Sequence, residues 1–225
     1  MRSMISAGLL AVAVSSIAQA AEPALETLSQ RYSYTVGYQL GQRLATQETE
    51  LDPAAFAAAV QDALGGVDAR LSMEDRRKTM TEWSAAQQAA AAEAAQANLE
   101  SGQSFLADNA KREGVTVLPS GLQYEVLSSG EGKTPAADQT VVVHYEGTLI
   151  DGTVFDSSRK RGAPATFSLA GVIDGFKEAL THMKEGDHWK VFIPSELGYG
   201  ARGAGQSIGP NSALIFDLEL LEVKS

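Results

Sequence analysis

The sequence predicts an α+β protein: an all-helical N-terminal region and a long linking helix, then a C-terminal antiparallel sheet of about five strands wrapped round a short helix. Three observations carry this. Between residues 24 and 113 apolar side chains recur every three or four positions, the helical period. Beyond Val115 the period drops to two, punctuated by Gly and Pro. Among those strands lies one short helical stretch, Val172 to His182, with Ile173, Phe176 and Leu180 on one side.

The elements follow in order. Leu25, Leu28, Tyr32, Val36, Leu40 and Leu44 make one apolar stripe on a first helix, with Gly37 and Gly41 on a neighbouring face. Asp52-Pro53 starts a second helix: Asp caps it, and Pro occupies a turn where its missing N–H costs nothing. Phe56, Val60 and Leu64 are its stripe, and Gly65-Gly66 ends it. Ser72 to Asp75 opens a third helix that no proline interrupts before Glu113, about 63 Å at ~1.5 Å per residue. Its stripe is thin, because Ser84 to Ala97 is mostly Ala and Gln, so it reads as a solvated arm with a bend at Gly102. Helices with so little to bury predict pairing with a second copy.

Strands are expected at Leu122–Leu127, Val141–Ile150, Thr153–Asp156, Thr166–Leu169, His188–Ile193 and Leu214–Val223. The second and third form a hairpin whose Asp151-Gly152 suits a tight type I′ turn. It sets Phe155 beside Asp156 at a strand end, with Tyr145 on the partner strand. Two long irregular segments remain, Ser157–Ala165 and Pro194–Ser212, and loops of that length in a small domain commonly carry function.

Composition narrows the chemistry. The 225 residues carry 28 acidic and 18 basic side chains, a net charge of −10. Residues 1–20 read as a secretory signal peptide: an early Arg2, a weakly apolar run from Ala7 to Ile17, and an Ala18-Gln19-Ala20 cleavage pattern that places the cut between Ala20 and Ala21. Its removal takes one arginine and no acid, leaving −11. Such acidity argues against nucleic acid as a partner. No segment is apolar for long enough to span a bilayer. With no cysteine there is neither a disulfide nor a lipid-acceptor thiol. The expected location is therefore the periplasm, in soluble form.

Covalent and metal mechanisms find little footing. There is no G-x-S-x-G elbow, and His144, His182 and His188 lack ligand spacing, so no metal and no cofactor is expected. Gly198 to Gly205 has neither the Lys-Ser/Thr pair nor the strand-to-helix setting of a phosphate loop. What remains is an apolar set near strand ends and loops with one acid among them: Tyr145, Phe155, Asp156, Val172, Ile173, Phe176, Tyr199, Ile208 and Phe216. The set reads equally as a ligand pocket or as ordinary core.

Six blocks decide the weighting: Val143–Gly147, Asp151–Ser158, Gly171–Phe176, Met183–Asp187, Leu197–Gly200 and Leu214–Leu220. In order and spacing they resemble the FK506-binding proteins (FKBPs), peptidyl-prolyl cis–trans isomerases. The helical half, with Tyr32-Ser-Tyr34 followed by Gly37 and Gly41, resembles the dimerisation region of the exported macrophage-infectivity-potentiator group. The resemblance implies a proline pocket walled by Tyr145, Phe155, Ile208 and Phe216, bordered by Val172 and Ile173, and floored by Phe176. It implies that the Ile173 N–H bonds the substrate chain, that Tyr199 donates to a substrate carbonyl, and that Asp156, held by Arg161, lies beside the twisting amide. Catalysis then rests on Phe155, Asp156 and Tyr199. The chain departs from the family at the floor, usually tryptophan, and at Ala165, often a rim aromatic.

The implied organisation is a signal peptide at 1–20, a dimerisation region at 21–71, a linking helix at 72–113 and an isomerase domain at 114–225. Implied partners are proline-containing unfolded or exported polypeptides, a second copy of the chain, and FK506- or rapamycin-type macrolides as inhibitors. The alternative is a dimeric holdase chaperone that binds unfolded chains between two arms, with catalysis secondary.

Overall fold

The structure is a computed structural model and describes residues 24–46 and 51–224. The expected signal peptide and its cleavage point lie outside them. The chain divides between Leu71 and Ser72 into two units.

The first unit contains two helices, α1 (Leu28–Thr46) and α2 (Pro53–Leu64). Thr27 and Gln30 form a reciprocal capping box at the start of α1: the Gln30 N–H donates to Thr27 Oγ1 (3.2 Å), and the Thr27 N–H donates to Gln30 Oε1 (2.9 Å). Asp52 caps α2 as expected, accepting from the Ala55 N–H at 2.7 Å. No side chain of either helix is buried among the described residues.

The second unit opens with α3 (Met73–Asn109), capped by Ser72, which accepts from the Asp75 N–H at 3.0 Å. The helix has two parts. From Met73 to Ala94 every residue is exposed. From Ala95 a covered stripe appears at helical spacing: Ala95, Asn98, Leu99, Gly102, Phe105, Leu106 and Asn109. Phe105 meets Phe192 with ring centres 6.0 Å apart, and the Asn109 amide donates to Gln123 at 2.8 Å. Gly102 is therefore no bend. The helix runs through it, and a Cβ there would sit 3.1 Å from that of Ala213. The missing side chain lets the helix close on the following domain.

Seven strands, all paired antiparallel, complete this unit: β1 (Val115–Val117), β2 (Gln123–Ser128), β3 (Thr140–Leu149), β4 (Val154–Ser157), β5 (Ala165–Ser168), β6 (His188–Ile193) and β7 (Leu214–Lys224). The expectation of about five is short. The six segments expected as strands all appear, and the one not expected is β1, whose three residues are too few to show a period. The order is β1-β2-β6-β7-β3-β4, with β5 also on β3. Strand β3 pairs with β7 along its whole length on one edge and is shared by β4 and β5 on the other. The connection from β4 to β5 thereby stays along one edge of β3.

Alternation decides the faces. Val141, Val143 and Tyr145 of β3 and Leu214, Phe216, Leu218 and Leu220 of β7 turn inward. Helix α4 (Asp174–His182) covers that face with Phe176, Ala179 and Leu180. Val172 and Ile173 precede this helix rather than begin it, and Ile173 stands at its N-cap.

The β3–β4 turn differs from expectation. Only Gly152 takes a positive φ (88°); Asp151 does not. Leu149 donates to the Thr153 carbonyl at 2.9 Å and Gly152 donates back to Leu149 at 3.0 Å. This is a three-residue loop closed by a glycine, and the register shifts between Gly147 and Thr148 just beyond it. One left-handed glycine suffices, because the Asp151 carboxylate accepts from the Thr153 N–H at 2.8 Å instead of the residue adopting that conformation itself.

Candidate functional site

The inner face of β3, the end of β4, the start of α4 and the segment after β6 enclose a cleft of about 510 Å³. Its size is that of a small-ligand site. Nine of the ten residues marked from the sequence line it. β3 supplies Tyr145, β4 supplies Phe155 and Asp156, and β7 supplies Phe216. Val172 and Ile173 come from the approach to α4, Phe176 from its first turn, and Tyr199 and Ile208 from the long segment before β7.

The tenth, Arg161, does not line the cleft. It stands behind Asp156, its guanidinium paired with the carboxylate and donating to the Tyr145 hydroxyl at 2.9 Å. It also lies against the Tyr145 ring, 5.6 Å from the centroid.

The rings form the cup. Phe176 sits at its base, 4% exposed, edge-on to Phe216 at 5.2 Å and to Tyr145 at 6.1 Å. Phe155 stands edge-on to Phe216 at 5.6 Å. Both of those rings lie over Gly147, where a Cβ would come within 2.5 Å of Phe155. Any side chain at Gly147 would push the wall into the cleft. Such edge-on pairs satisfy the ring quadrupoles and fix the walls of the cup relative to one another.

Sequence reasoning missed Phe167. It lines the cleft and packs edge-on against Phe176 at 5.8 Å. Ala165, two residues earlier, lies outside the cleft lining. Thr166 and Ser168 between and beyond them are exposed, so strict alternation along β5 was the available signal. Gly171, Ala204, Gly205 and Ser207 also contribute; small loop residues carry no such signal.

The polar groups are few. The Asp156 carboxylate is fully engaged: one oxygen accepts from the Tyr145 hydroxyl, the other from Arg161 and from the Ser157 N–H at 2.8 Å. Burial is the largest single influence on this carboxyl and favours its neutral form. The hydrogen bonds from Tyr145 and Arg161 and the guanidinium charge together outweigh it, holding the pKa below the ordinary carboxylate value. The Tyr145 phenol is pushed up, first by burial and then by donating to Asp156. Asp156 is thus an ionised, hydrogen-bonded anion with no spare basicity. The Ile173 N–H at the cleft border has no hydrogen-bond partner among the described residues. Tyr199 is 39% exposed at the mouth. The His144 ring bonds Ser158 at 3.0 Å and the His188 ring bonds Asp217 at 2.8 Å, and neither histidine lines the cleft.

Fold and cleft together define an α+β domain whose curved antiparallel sheet grips one helix and opens an aromatic cup at its end. Known proteins share the fold. The family model for FKBP-type peptidyl-prolyl cis-trans isomerase matches residues 131–221, and the model for the domain amino terminal to it matches residues 29–126. The FKBP-type 22 kDa peptidyl-prolyl cis-trans isomerase of Escherichia coli (strain K12) is 45% identical over 89% of this chain and 98% of its own length. The peptidyl-prolyl cis-trans isomerase Mip of Coxiella burnetii is 41% identical over 98% of this chain and 96% of its own. The crystal structure of FkpA from Escherichia coli aligns over 89% of this chain and 99% of that one, with a TM-score of 0.64 and 38% identity. The chain belongs to the FKBP-type peptidyl-prolyl cis–trans isomerases, and its reaction is rotation about the X–Pro peptide bond.

Proposed function

We propose that the aromatic cup binds the proline ring and that the enzyme assists the folding of exported polypeptides. The observation carrying this is the saturated Asp156 carboxylate beside an otherwise apolar cup. Isomerisation must break amide resonance across a barrier of ~20 kcal/mol. The orthogonal amide separates less charge than the planar one. An apolar cup therefore favours the twisted amide more than water does, which is differential binding of the transition state. No nucleophile or proton donor is needed.

Phe155, Phe176 and Phe216 would hold the ring, with Tyr145, Val172 and Ile208 around it. The unpaired Ile173 N–H would take a substrate carbonyl, and the Tyr199 hydroxyl another. Asp156, oriented by Arg161, would act as a fixed anion beside the rotating carbonyl. Phe155→Ala removes a wall and is expected to lower kcat/KM on a proline tetrapeptide about 10- to 100-fold; Asp156→Ala is expected to lower it about tenfold. Circular dichroism should show both folded. Wild-type rates in two folded variants would remove the assignment.

The organisation we propose is a leader at 1–20, a dimerisation region at 21–71, a linking helix at 72–113 and an isomerase domain at 114–225, acting in the periplasm. Dimerisation is supported by the apolar stripe of α1, where Leu28 is 77% exposed and Tyr32 69%. A macrolide of the FK506 or rapamycin type would occupy the same cup. No helix among the described residues is long and apolar enough to cross a membrane.

A further inference from the structure

The covered stripe of α3 leads to the cup. The Asn98 side-chain amide donates to the Pro210 carbonyl at 2.9 Å, and the Asn211 amide donates back to the Ala95 carbonyl at 3.3 Å. These two asparagines clasp the helix to the segment before β7 in both directions. Gly209 fits beneath the clasp, since a Cβ there would lie 2.9 Å from the Asn98 amide nitrogen. One turn further along the helix, Gly102 closes on Ala213.

That segment carries the cup residues Tyr199 and Ile208. Asn211 is the one non-glycine residue with a positive φ (55°) among those described, and its N–H donates to the Gly200 carbonyl at 2.8 Å, next to Tyr199. Between these ends the Gly203 N–H donates to the Gly200 carbonyl at 3.3 Å, and Ala204 and Ile208 exchange backbone hydrogen bonds at 2.9 and 3.1 Å. Residues 205–207 are exposed, while Ile208 is 7% exposed and forms wall. These backbone bonds are internal to the segment, and the two asparagine side chains tie it to α3.

We propose that Asn98 and Asn211 are positioning residues of the isomerase: through them the last turns of α3, from Ala95 onward, hold Tyr199 and Ile208 at the cup. α3 is then part of the catalytic body as well as a linker. This rests on the cup being the substrate site.

The test uses the full-length chain and the Asn98→Ala, Asn211→Gly and double variants. Glycine at 211 keeps the positive φ and removes the side chain alone. We expect kcat/KM on a proline tetrapeptide to fall about three- to tenfold in the double variant, since small displacements of binding groups cost rate steeply. The loss should appear chiefly in KM, and the Ile208 methyl NMR signal should broaden. Gln96→Ala, on the exposed side of the same turn, should match wild type. Unchanged kcat/KM and an unchanged Ile208 signal at 10 °C, even with a lowered melting temperature, would overturn the proposal and leave the clasp purely structural. If the double variant is unfolded at that temperature, the single Asn211→Gly variant decides on the same two readouts. Should Phe155→Ala also leave the rate unchanged, the site assignment fails instead; a loss in Phe155→Ala with none in the clasp variants sinks the clasp alone.

Discussion

The two units treat apolar side chains in opposite ways. In the sheet unit the inward residues of β3, β7 and α4 disappear almost completely: Val141, Val143, Leu180, Leu218 and Leu220 are all 0% exposed. In the helical unit Tyr34, Tyr38 and Phe56 stay 53%, 57% and 38% exposed. Sequence patterning is equally clear in both. What differs is the partner. A sheet curled round a helix supplies its own second layer, whereas two short helices with single stripes do not. The sheet unit therefore buries its own apolar faces, whereas the helical unit leaves its stripes exposed in the single chain, the surface on which the proposed dimerisation rests.

The largest expected effect breaks the comparison at its strong end. Leu180→Ala empties a fully buried position between α4 and the sheet and should cost about 2–5 kcal/mol of unfolding free energy, read from the denaturant midpoint of the sheet unit. A loss under about 1 kcal/mol would mean that the core tolerates a void, contrary to its close packing.

At the weak end, Tyr32→Glu places a charge in the α1 stripe. Because Tyr32 is 69% exposed in the single chain, the intrinsic stability of the helix should change by only a few tenths of a kcal/mol. Self-association should weaken by at least about tenfold, since an apolar contact would be replaced by a buried unpaired charge. Sedimentation velocity reads the loss of self-association, and kcat/KM on a short peptide should hold at the wild-type value. A dimer as tight as wild type would assign the stripe another purpose.

How much of this was legible follows from the same contrast. Period two over Val141–Tyr145 and Leu214–Leu220 names both inner faces of the sheet, and Asp52-Pro53 names a helix start, because in each case a local rule decides. The Thr27–Gln30 box obeys an equally local rule and was there to be read. Phe167 was legible only as one member of an alternation four residues long. The clasp of Asn98 on Pro210 spans 112 residues, and no local rule reaches it. The seventh strand, Val115–Val117, exists because Gln123–Glu125 pairs with it, not because its own sequence demands a strand. Spacing left nine of the ten marked residues undecided between pocket and core; the resemblance gathered them, and Arg161 pairs with Asp156 from behind the cleft lining.

The smallest expected effect sets one carboxylate–arginine pair against the other. Asp62 of α2 is held by Arg70 through two hydrogen bonds, at 2.6 and 3.0 Å. The hydrogen bonding to Arg70 is the largest influence and, with a smaller contribution from the guanidinium charge, it outweighs the opposing effect of burial and keeps the pKa below the ordinary value. Asp156 is lowered as well, against a dominant burial effect, by Tyr145 and Arg161. In both cases the folded carboxyl binds its proton later than the unfolded one as pH falls. Each therefore contributes stability that is complete above the ordinary carboxylate pKa of ~3.9 and is lost as pH descends below it toward the folded value. Between neutral and mildly acidic pH the contribution of either pair to the melting temperature should stay constant, and Asp62→Asn and Asp156→Asn should converge on wild type only at strongly acid pH. The pairs diverge in function. Protonating Asp156 removes the fixed anion at the cup, so kcat/KM should follow its titration, whereas Asp62 should leave the rate untouched. A fall in kcat/KM centred above about pH 5 would show that Asp156 is not the ionised, saturated group that its three donors make it.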